Sequence, residues 1–289
     1  IRDLVRSRGL GDVYKRQMHA NEVATDVRLV RRLLADQFPH WADLSIEPVE
    51  SSGTDNATYR LGNDMVVRLP RISWATEQVH KEHWWLPRLA PLVPLAIPIP
   101  LGKGLPGHGY PWHWSVYSWL EGGNATVERV TDPCGAARDL AEFITALQCV
   151  DAAGGPPPGE HNSSRGVPLA ARDVSTRAAS AALDGMEMLD ADALTAAWDV
   201  ALRAPAWCGP PVWIHGDLQP GNLLVTGGRL RAVIDFGTLG VGDPACDLMV
   251  AWNLFSGRAR EVFRAALSID DAAWARGRGW ALSVGLIAL

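Results

Sequence analysis

His215, Gly216, Asp217 and Asn222, followed thirteen residues beyond Asn222 by Asp235-Phe236-Gly237, are the residues whose types and spacing say most about chemistry. Transfer of a phosphoryl group asks for little covalent chemistry from a protein. It needs a carboxylate to orient and deprotonate the attacking hydroxyl, and oxygen ligands to hold a metal ion against a triphosphate. Asp217 suits the first task, and Asn222 with Asp235 suits the second. The five-residue step from Asp217 to Asn222 is that of kinase catalytic loops, where one residue addresses the acceptor and the other the metal. Each residue alone would read as part of an acidic surface turn; the joint pattern favours Mg2+-dependent phosphoryl transfer.

The surrounding sequence predicts how these groups are positioned. Apolar, β-rich runs at 222–226 and 230–234 flank Gly227-Gly228 and predict a hairpin that carries both metal ligands to one edge. Upstream, 44–50, 57–61 and 64–69 read as strands of an antiparallel sheet. An amphipathic helix within 21–38 precedes them, with Val23, Val27, Val30, Leu33 and Leu34 at helical spacing. Ser51, Ser52 and Gly53 are small enough for a turn to approach phosphate oxygens, which makes Ser52 and Gly53 nucleotide-binding candidates. Arg68 on the third strand stands where a cation would pair the α- and β-phosphates. Glu82 on the following helix, with Glu77 as its rival, stands where a carboxylate would fix that cation. Their bland alternatives are a solvated strand arginine and a surface glutamate.

The proline-rich stretch 87–106 is incompatible with a continuous helix or a central strand and should wrap the lobe edge. A further strand over 112–120 runs into a connection at 117–121, whose backbone groups suit a purine edge. Tyr117 and Trp119 are the nucleotide-site candidates there, with side chains that read as core aromatics. Helices are expected over 136–150, 169–183 and 190–202, and an exposed loop over 154–159.

Composition bounds the function class. The formal charge is −5 and no Lys/Arg-rich run occurs, which argues against nucleic acid and anionic membrane surfaces as partners. The longest apolar runs fall well short of the ~20 residues that span a bilayer. Cys134, Cys149, Cys208 and Cys246 are dispersed without a C-x-x-C pair or a secretory signal, so reduced thiols in a cytoplasmic protein are expected. His80 and His83 share a helix face but lack a third ligand, and read as solvent-facing. Residues 1–17 carry five basic and two acidic residues, look foreign to the remainder, and are expected to be a non-native leader before a natural start at Met18. Setting them aside takes the charge from −5 to −8. At the other end, Trp274, Trp280, Leu282, Leu286 and Leu289 lie on a helix without a Gly cap or basic last turn, so a continuation by at least one more helix and an exposed apolar patch are expected.

With these motifs placed, the chain resembles the aminoglycoside phosphotransferase family, the antibiotic kinases related to macrolide phosphotransferases and choline kinases. The likeness covers most of 45–289 and is densest at 52–61, 66–71, 215–224, Asp235-Phe236-Gly237 and Gly242-Asp243-Pro244-Ala245-Cys246-Asp247-Leu248. It implies an α+β, bilobal protein-kinase-like fold, with a small antiparallel-sheet N-lobe over 18–120 and a mainly helical C-lobe over 121–289. The C-lobe would hold the catalytic loop, the metal site and the acceptor pocket. It also implies ATP or GTP with Mg2+ as donor and a small-molecule hydroxyl as acceptor, in a monomer or weak dimer. By the same resemblance Asp217 is the catalytic base, Asn222 and Asp235 hold magnesium, and His215 and Asp247 support the loop. Arg68 in place of lysine is a departure from the protein-kinase pattern.

Two absences favour a small-molecule acceptor over a protein. Gly216 stands where phosphorylation-controlled protein kinases carry arginine, and no Ala-Pro-Glu platform follows Gly237. The leading reading is an antibiotic O-phosphotransferase, aminoglycoside before macrolide. The acids Asp184, Glu187, Asp190 and Asp192 are expected to steer polyamines to an acceptor wall. A metabolic kinase acting on an amino alcohol, a sugar or homoserine is the alternative within the fold, and a nucleotide-binding pseudokinase the alternative outside catalysis.

Overall fold

The computed structural model describes residues 22–49, 55–182 and 190–288; the expected leader, the turn holding Ser52 and Gly53, Asp184, Glu187 and Leu289 lie outside them. Two compact units are present, one from residues up to His83 together with Ile99–Trp119, the other from Trp84–Pro98 together with Leu120 onward.

The first unit is built on a five-stranded antiparallel sheet in the order β1 (Ile46–Pro48), β2 (Asn56–Leu61), β3 (Met65–Pro70), β5 (Trp114–Ser118), β4 (Pro100–Gly104). Helix α1 (Val27–Gln37) starts at Asp26, whose carboxylate accepts the Leu29 N–H. Its buried Leu29, Val30, Leu33 and Leu34 form one core with Val67, Leu69, Tyr59, Trp114 and Val116. Side chains alternate across a pleated strand, so Val67 and Leu69 facing this core puts Arg68 on the opposite face. That face meets helix α2 (Thr76–Leu89) through Glu82 and His83.

The proline-rich stretch behaves as expected only in part. Pro87 lies inside the last turn of α2, where it forgoes a single intrahelical bond, and Pro100 opens β4, which is an edge strand. His83 corrects the solvent-facing expectation. It is half-buried, with Nε2 3.0 Å from the Oγ of fully buried Ser115, whereas His80 is exposed beside Lys103.

In the second unit, helix α3 (Pro133–Gln148) is capped by Asp132 and buries Leu140, Phe143, Ile144 and Leu147. Strand β7 (Val212–Ile214) pairs antiparallel with β10 (Gly240–Gly242), and β6 (Gly123–Asn124), β8 (Leu223–Thr226) and β9 (Arg229–Val233) form a second small sheet. Thr226 and Arg229 are paired, so Gly227-Gly228 is a two-residue loop. Both glycines have positive φ, 59° and 79°, the requirement of the hairpin turn whose twist matches its strands. The loop over 154–159 is partly buried rather than exposed, because the Pro156 carbonyl accepts the Val241 N–H along β10.

Helices α4 (Asp173–Ala182), α5 (Ala191–Arg203), α6 (Val250–Asn253), α7 (Gly257–Leu267) and α8 (Asp271–Ile287) complete the unit. The apolar residues of α8 are for the most part not exposed. Trp280 and Leu286 are buried, Leu282 is half-buried, and Trp274 packs at a tilt against Trp252, with ring centres 4.5 Å apart. A buried ion pair at 2.9 Å joins Arg276 of α8 to Asp243, which also caps the 3-10 segment Pro244–Met249 through the Ala245 N–H.

Burial, helped by the positive charge of Lys103, lowers the His83 pKa from 6.5 to about 4. The unfolded chain takes up a proton as pH falls through 6.5, while the folded one resists until about 4. Stability contributed by neutral His83 is therefore lost across that window. Thermal melts at pH 7 and pH 5 should show a smaller acid-induced drop for His83→Gln than for the parent. Equal drops would mean that His83 charges freely in the native protein.

Candidate active site

The site grows from the end of β7. His215 is fully buried, and Asp217 N–H points at its Nδ1 (3.2 Å). Nδ1 must then accept, which leaves Nε2 to donate to the Ile234 carbonyl at 3.0 Å and fixes the tautomer. The ring packs edge-on against Phe236 at 4.6 Å. One imidazole thus ties the Asp217 segment to the backbone just before Asp235.

Gly216 follows with φ +83°, and a Cβ there would stand 2.8 Å from the Thr238 carbonyl and 3.0 Å from Arg165 Cβ. Conformation and crowding both require glycine. The N–H groups of His215 and Gly216 donate to the two oxygens of Asp247, at 2.8 and 2.7 Å. Asp247 is fully buried, and that burial pushes its carboxyl pKa up; the nearby His215 and the two backbone N–H groups pull it back. Cys246 donates its thiol to the Gly216 carbonyl at 3.7 Å, and Thr238 its hydroxyl to the His215 carbonyl at 2.8 Å.

Asp217 is held from two sides. Gln219 Nε2 and Asn222 Nδ2 donate to its Oδ2 at 2.8 and 2.9 Å, and Asn222 Nδ2 also reaches the Asp217 carbonyl at 2.9 Å. Arg165 lies 3.5 Å from Oδ1. Asn222 precedes β8 and Asp235 follows β9, and the bond from the Ile234 N–H to the Asn222 carbonyl (2.9 Å) brings the two ends together. Asp235 adopts φ +64°, a left-handed conformation rare for a residue with a side chain.

Within the first unit, Arg68 Nη1 lies 3.3 and 3.4 Å from the two oxygens of Glu82, which is 2% exposed. The structure chooses Glu82 over Glu77 as the carboxylate beside Arg68. Tyr117 is buried, and its hydroxyl donates to Glu82, so its side chain addresses that carboxylate. Burial, with the neighbouring Glu82 charge, raises the Tyr117 pKa well above its ordinary value, which keeps the hydroxyl a donor. Trp119 carries the Arg60 guanidinium over its ring at 4.5 Å, and its backbone N–H donates to the Asp64 carbonyl.

Four contributors, Gln219, Thr238, Cys246 and Arg165, had no role in the sequence reading. Gln219 was legible as an amide two residues after Asp217. Cys246 stood next to Asp247 in a recognised motif, whereas Arg165 and Thr238 carried no such signal, because their contacts with the loop come only through the tertiary fold.

The model of the APH phosphotransferase enzyme family matches residues 45–280, and the chain belongs to that family. Its structure is similar to that of the GDP complex of wild-type aminoglycoside 2'-phosphotransferase-IIIa, with 23% identity, 91% of this chain and 89% of the other covered, and a TM-score of 0.68. It is similar also to the GDP and kanamycin complex of APH(2")-IIia, with 24% identity, coverage of 89% and 88%, and a TM-score of 0.65. A third likeness is to macrolide 2'-phosphotransferase MphH from Brachybacterium faecium, with 26% identity, coverage of 88% and 87%, and a TM-score of 0.61. Comparison with curated protein sequences gives no match. The chain is a small-molecule kinase with the kinase-like fold of these proteins. No helix among the described residues is long and apolar enough to cross a membrane.

Asp247→Asn would set an amide N–H against one of the two backbone N–H groups now bonded to the carboxylate. It should cost about 1–3 kcal/mol of unfolding free energy in urea denaturation. An unchanged midpoint and slope would show that this carboxylate does not hold the loop.

Proposed function

We propose that this kinase moves the γ-phosphate of ATP or GTP to a hydroxyl of an antibiotic, an aminoglycoside before a macrolide, with Asp217 as the base. The observation that carries the reading is the binding of the Asp217 carboxylate. Two amide donors occupy Oδ2, while Oδ1 has one longer contact to Arg165, so Oδ1 keeps lone-pair capacity for a hydroxyl proton. Asp217 would accept that proton as the acceptor oxygen bonds to phosphorus and the bond from the γ-phosphorus to the bridging oxygen breaks.

The donor set suits a hard divalent cation. Asn222 spends its amide nitrogen on Asp217, which leaves its carbonyl oxygen as a ligand beside the Asp235 carboxylate. No group of three or more His, Cys, Asp or Glu able to hold a metal occurs among the described residues. Two oxygen ligands completed by phosphate and water are what Mg2+ accepts. When bound, Mg2+ would supply charge neutralisation at the phosphate oxygens. Arg68, braced by Glu82, is assigned to the other phosphates, and Tyr117 acts through Glu82. His215 and Asp247 are assigned to loop support.

On the acceptor side, Asp190 is committed to capping α5, and Asp173 and Asp199 pair with Arg177. Asp192 remains, lining a cavity of about 320 Å3 with Thr176, Thr195 and Trp198. The charge and the aminoglycoside complexes of similar structures support an aminoglycoside; the likeness to MphH supports the macrolide as second reading. A nucleotide-consumption screen over kanamycin, gentamicin, streptomycin, macrolides and small amino alcohols decides between them. Turnover with the amino alcohols alone would replace the antibiotic reading by a metabolic one.

Asp217→Ala should lower kcat about 100- to 10,000-fold and leave the nucleotide Kd unchanged, since the carboxylate addresses the acceptor. Retained turnover removes Asp217 from the role of base. Asp235→Ala should instead abolish the difference in nucleotide Kd with and without Mg2+, measured by calorimetry. A parent that binds nucleotide equally well in EDTA would end the metal assignment.

Arg68→Ala should raise the nucleotide KM, and Glu82→Ala should add little in the Arg68→Ala background, because the two act as a unit. Strict additivity would separate them.

A further inference from the structure

Resting on the phosphotransfer reading, we infer that Arg165 is a positioning residue for the catalytic carboxylate, delivered from a distant loop into the space that Gly216 leaves open. Three observations carry it. Arg165 Nη2 lies 3.5 Å from Asp217 Oδ1, on the oxygen that Gln219 and Asn222 do not hold. Arg165 Cβ lies 3.0 Å from the place where a Cβ on Gly216 would stand, so the arginine backbone sits against the catalytic loop itself. With Oδ2 fixed by two amides and Oδ1 by a guanidinium, the carboxylate plane is defined from both ends.

The loop that delivers Arg165 is built for the purpose of placement. Ser163 and Ser164 both take left-handed conformations, φ 52° and 54°, which cost free energy in residues with side chains. Buried Asn162 holds them: its Oδ1 accepts the Gly159 N–H at 3.0 Å and its Nδ2 donates to the Arg165 carbonyl at 3.1 Å. The Gly166 carbonyl accepts the Asp243 N–H at 2.9 Å, docking the loop beside the end of β10.

Stability does not account for the residue. The Arg165 side chain is only 12% exposed, its Nε has no hydrogen-bond partner among the described residues, and its charge is among the causes that depress the pKa of Arg172, after burial. A guanidinium buried with one long ion pair, an unused donor and a like charge nearby is a net cost to folding. Both arginines face Trp280, with Arg165 5.9 Å and Arg172 4.8 Å from its ring centre, which gives the pair an aromatic wall. The return on that cost is at Asp217.

The test is Arg165→Ala assayed with the acceptor that gives turnover in the screen, alongside basal hydrolysis of MgATP and MgGTP. Misplacement of the base should lower kcat about 100-fold, with the nucleotide Kd unchanged. Millimolar guanidinium or methylguanidinium should restore part of the lost rate, and Arg165→Lys should retain more activity than Arg165→Ala. A purely structural role would lower the melting temperature and give no rescue by guanidinium; that outcome, or a kcat within a factor of two of the parent, overturns the assignment. A parent that transfers phosphate to no acceptor would instead overturn the phosphotransfer reading.

Discussion

A buried carboxylate accepting two consecutive backbone N–H groups is the interaction on which the site depends. Asp247 is out of contact with solvent, yet it compensates its lost hydration with the His215 and Gly216 amides rather than with a cation. Because those two residues then have no freedom to rotate, His215 can bond with one nitrogen to the Asp217 amide and with the other to the Ile234 carbonyl. The loop carrying Asp217 and the strand leading to Asp235 are thereby fixed to each other through one ring. Asp247 is itself placed by Asp243 and Arg276, so the order at Asp217 descends from the packing of the last long helix.

Polar groups buried in this way are expensive unless each one is satisfied, and the site follows that rule closely on the Asp247 side. It departs from it at Arg165, where a donor is unused and two guanidinium groups are near neighbours. The departure lies beside the Asp217 carboxylate, where the buried Trp280 Nε1 also lacks a hydrogen-bond partner among the described residues. Folding alone does not favour such an arrangement; phosphoryl transfer, which is governed by placement and charge, does.

Much of this was legible in the sequence, because the informative contacts are local. The Asp217–Asn222 step lies within one loop, and the Gly227-Gly228 hairpin brings Asp235 back to Asn222 by turn geometry alone. Arg68 and Glu82 were placed by their positions on the third strand and the following helix, as in the kinase pattern, with Glu77 left as a rival to Glu82. What was not legible depends on contacts distant in the chain. His83 looked solvent-facing because nothing near it in sequence announces Ser115. The 154–159 loop looked exposed because its partner, Val241, lies far downstream. The 87–106 stretch looked incompatible with helix from its first proline, but Pro87 lies in the last turn, where its missing N–H costs only one bond.

The path of the chain has a further consequence for anyone who wishes to study the pieces. The sheet unit is not continuous: it breaks after His83 and resumes at Ile99, and the missing stretch belongs with the helical unit. A fragment ending at His83 would carry β1, β2, β3 and most of α2 but neither β4 nor β5. Strand β3 would then become an edge, with its unpaired amides and carbonyls open to strands of other molecules. Arg68 and Glu82 would survive in sequence, but Glu82 would lose the Tyr117 hydroxyl and His83 the Ser115 hydroxyl. Dissection of this protein by simple truncation should therefore yield aggregating fragments rather than a nucleotide-binding module.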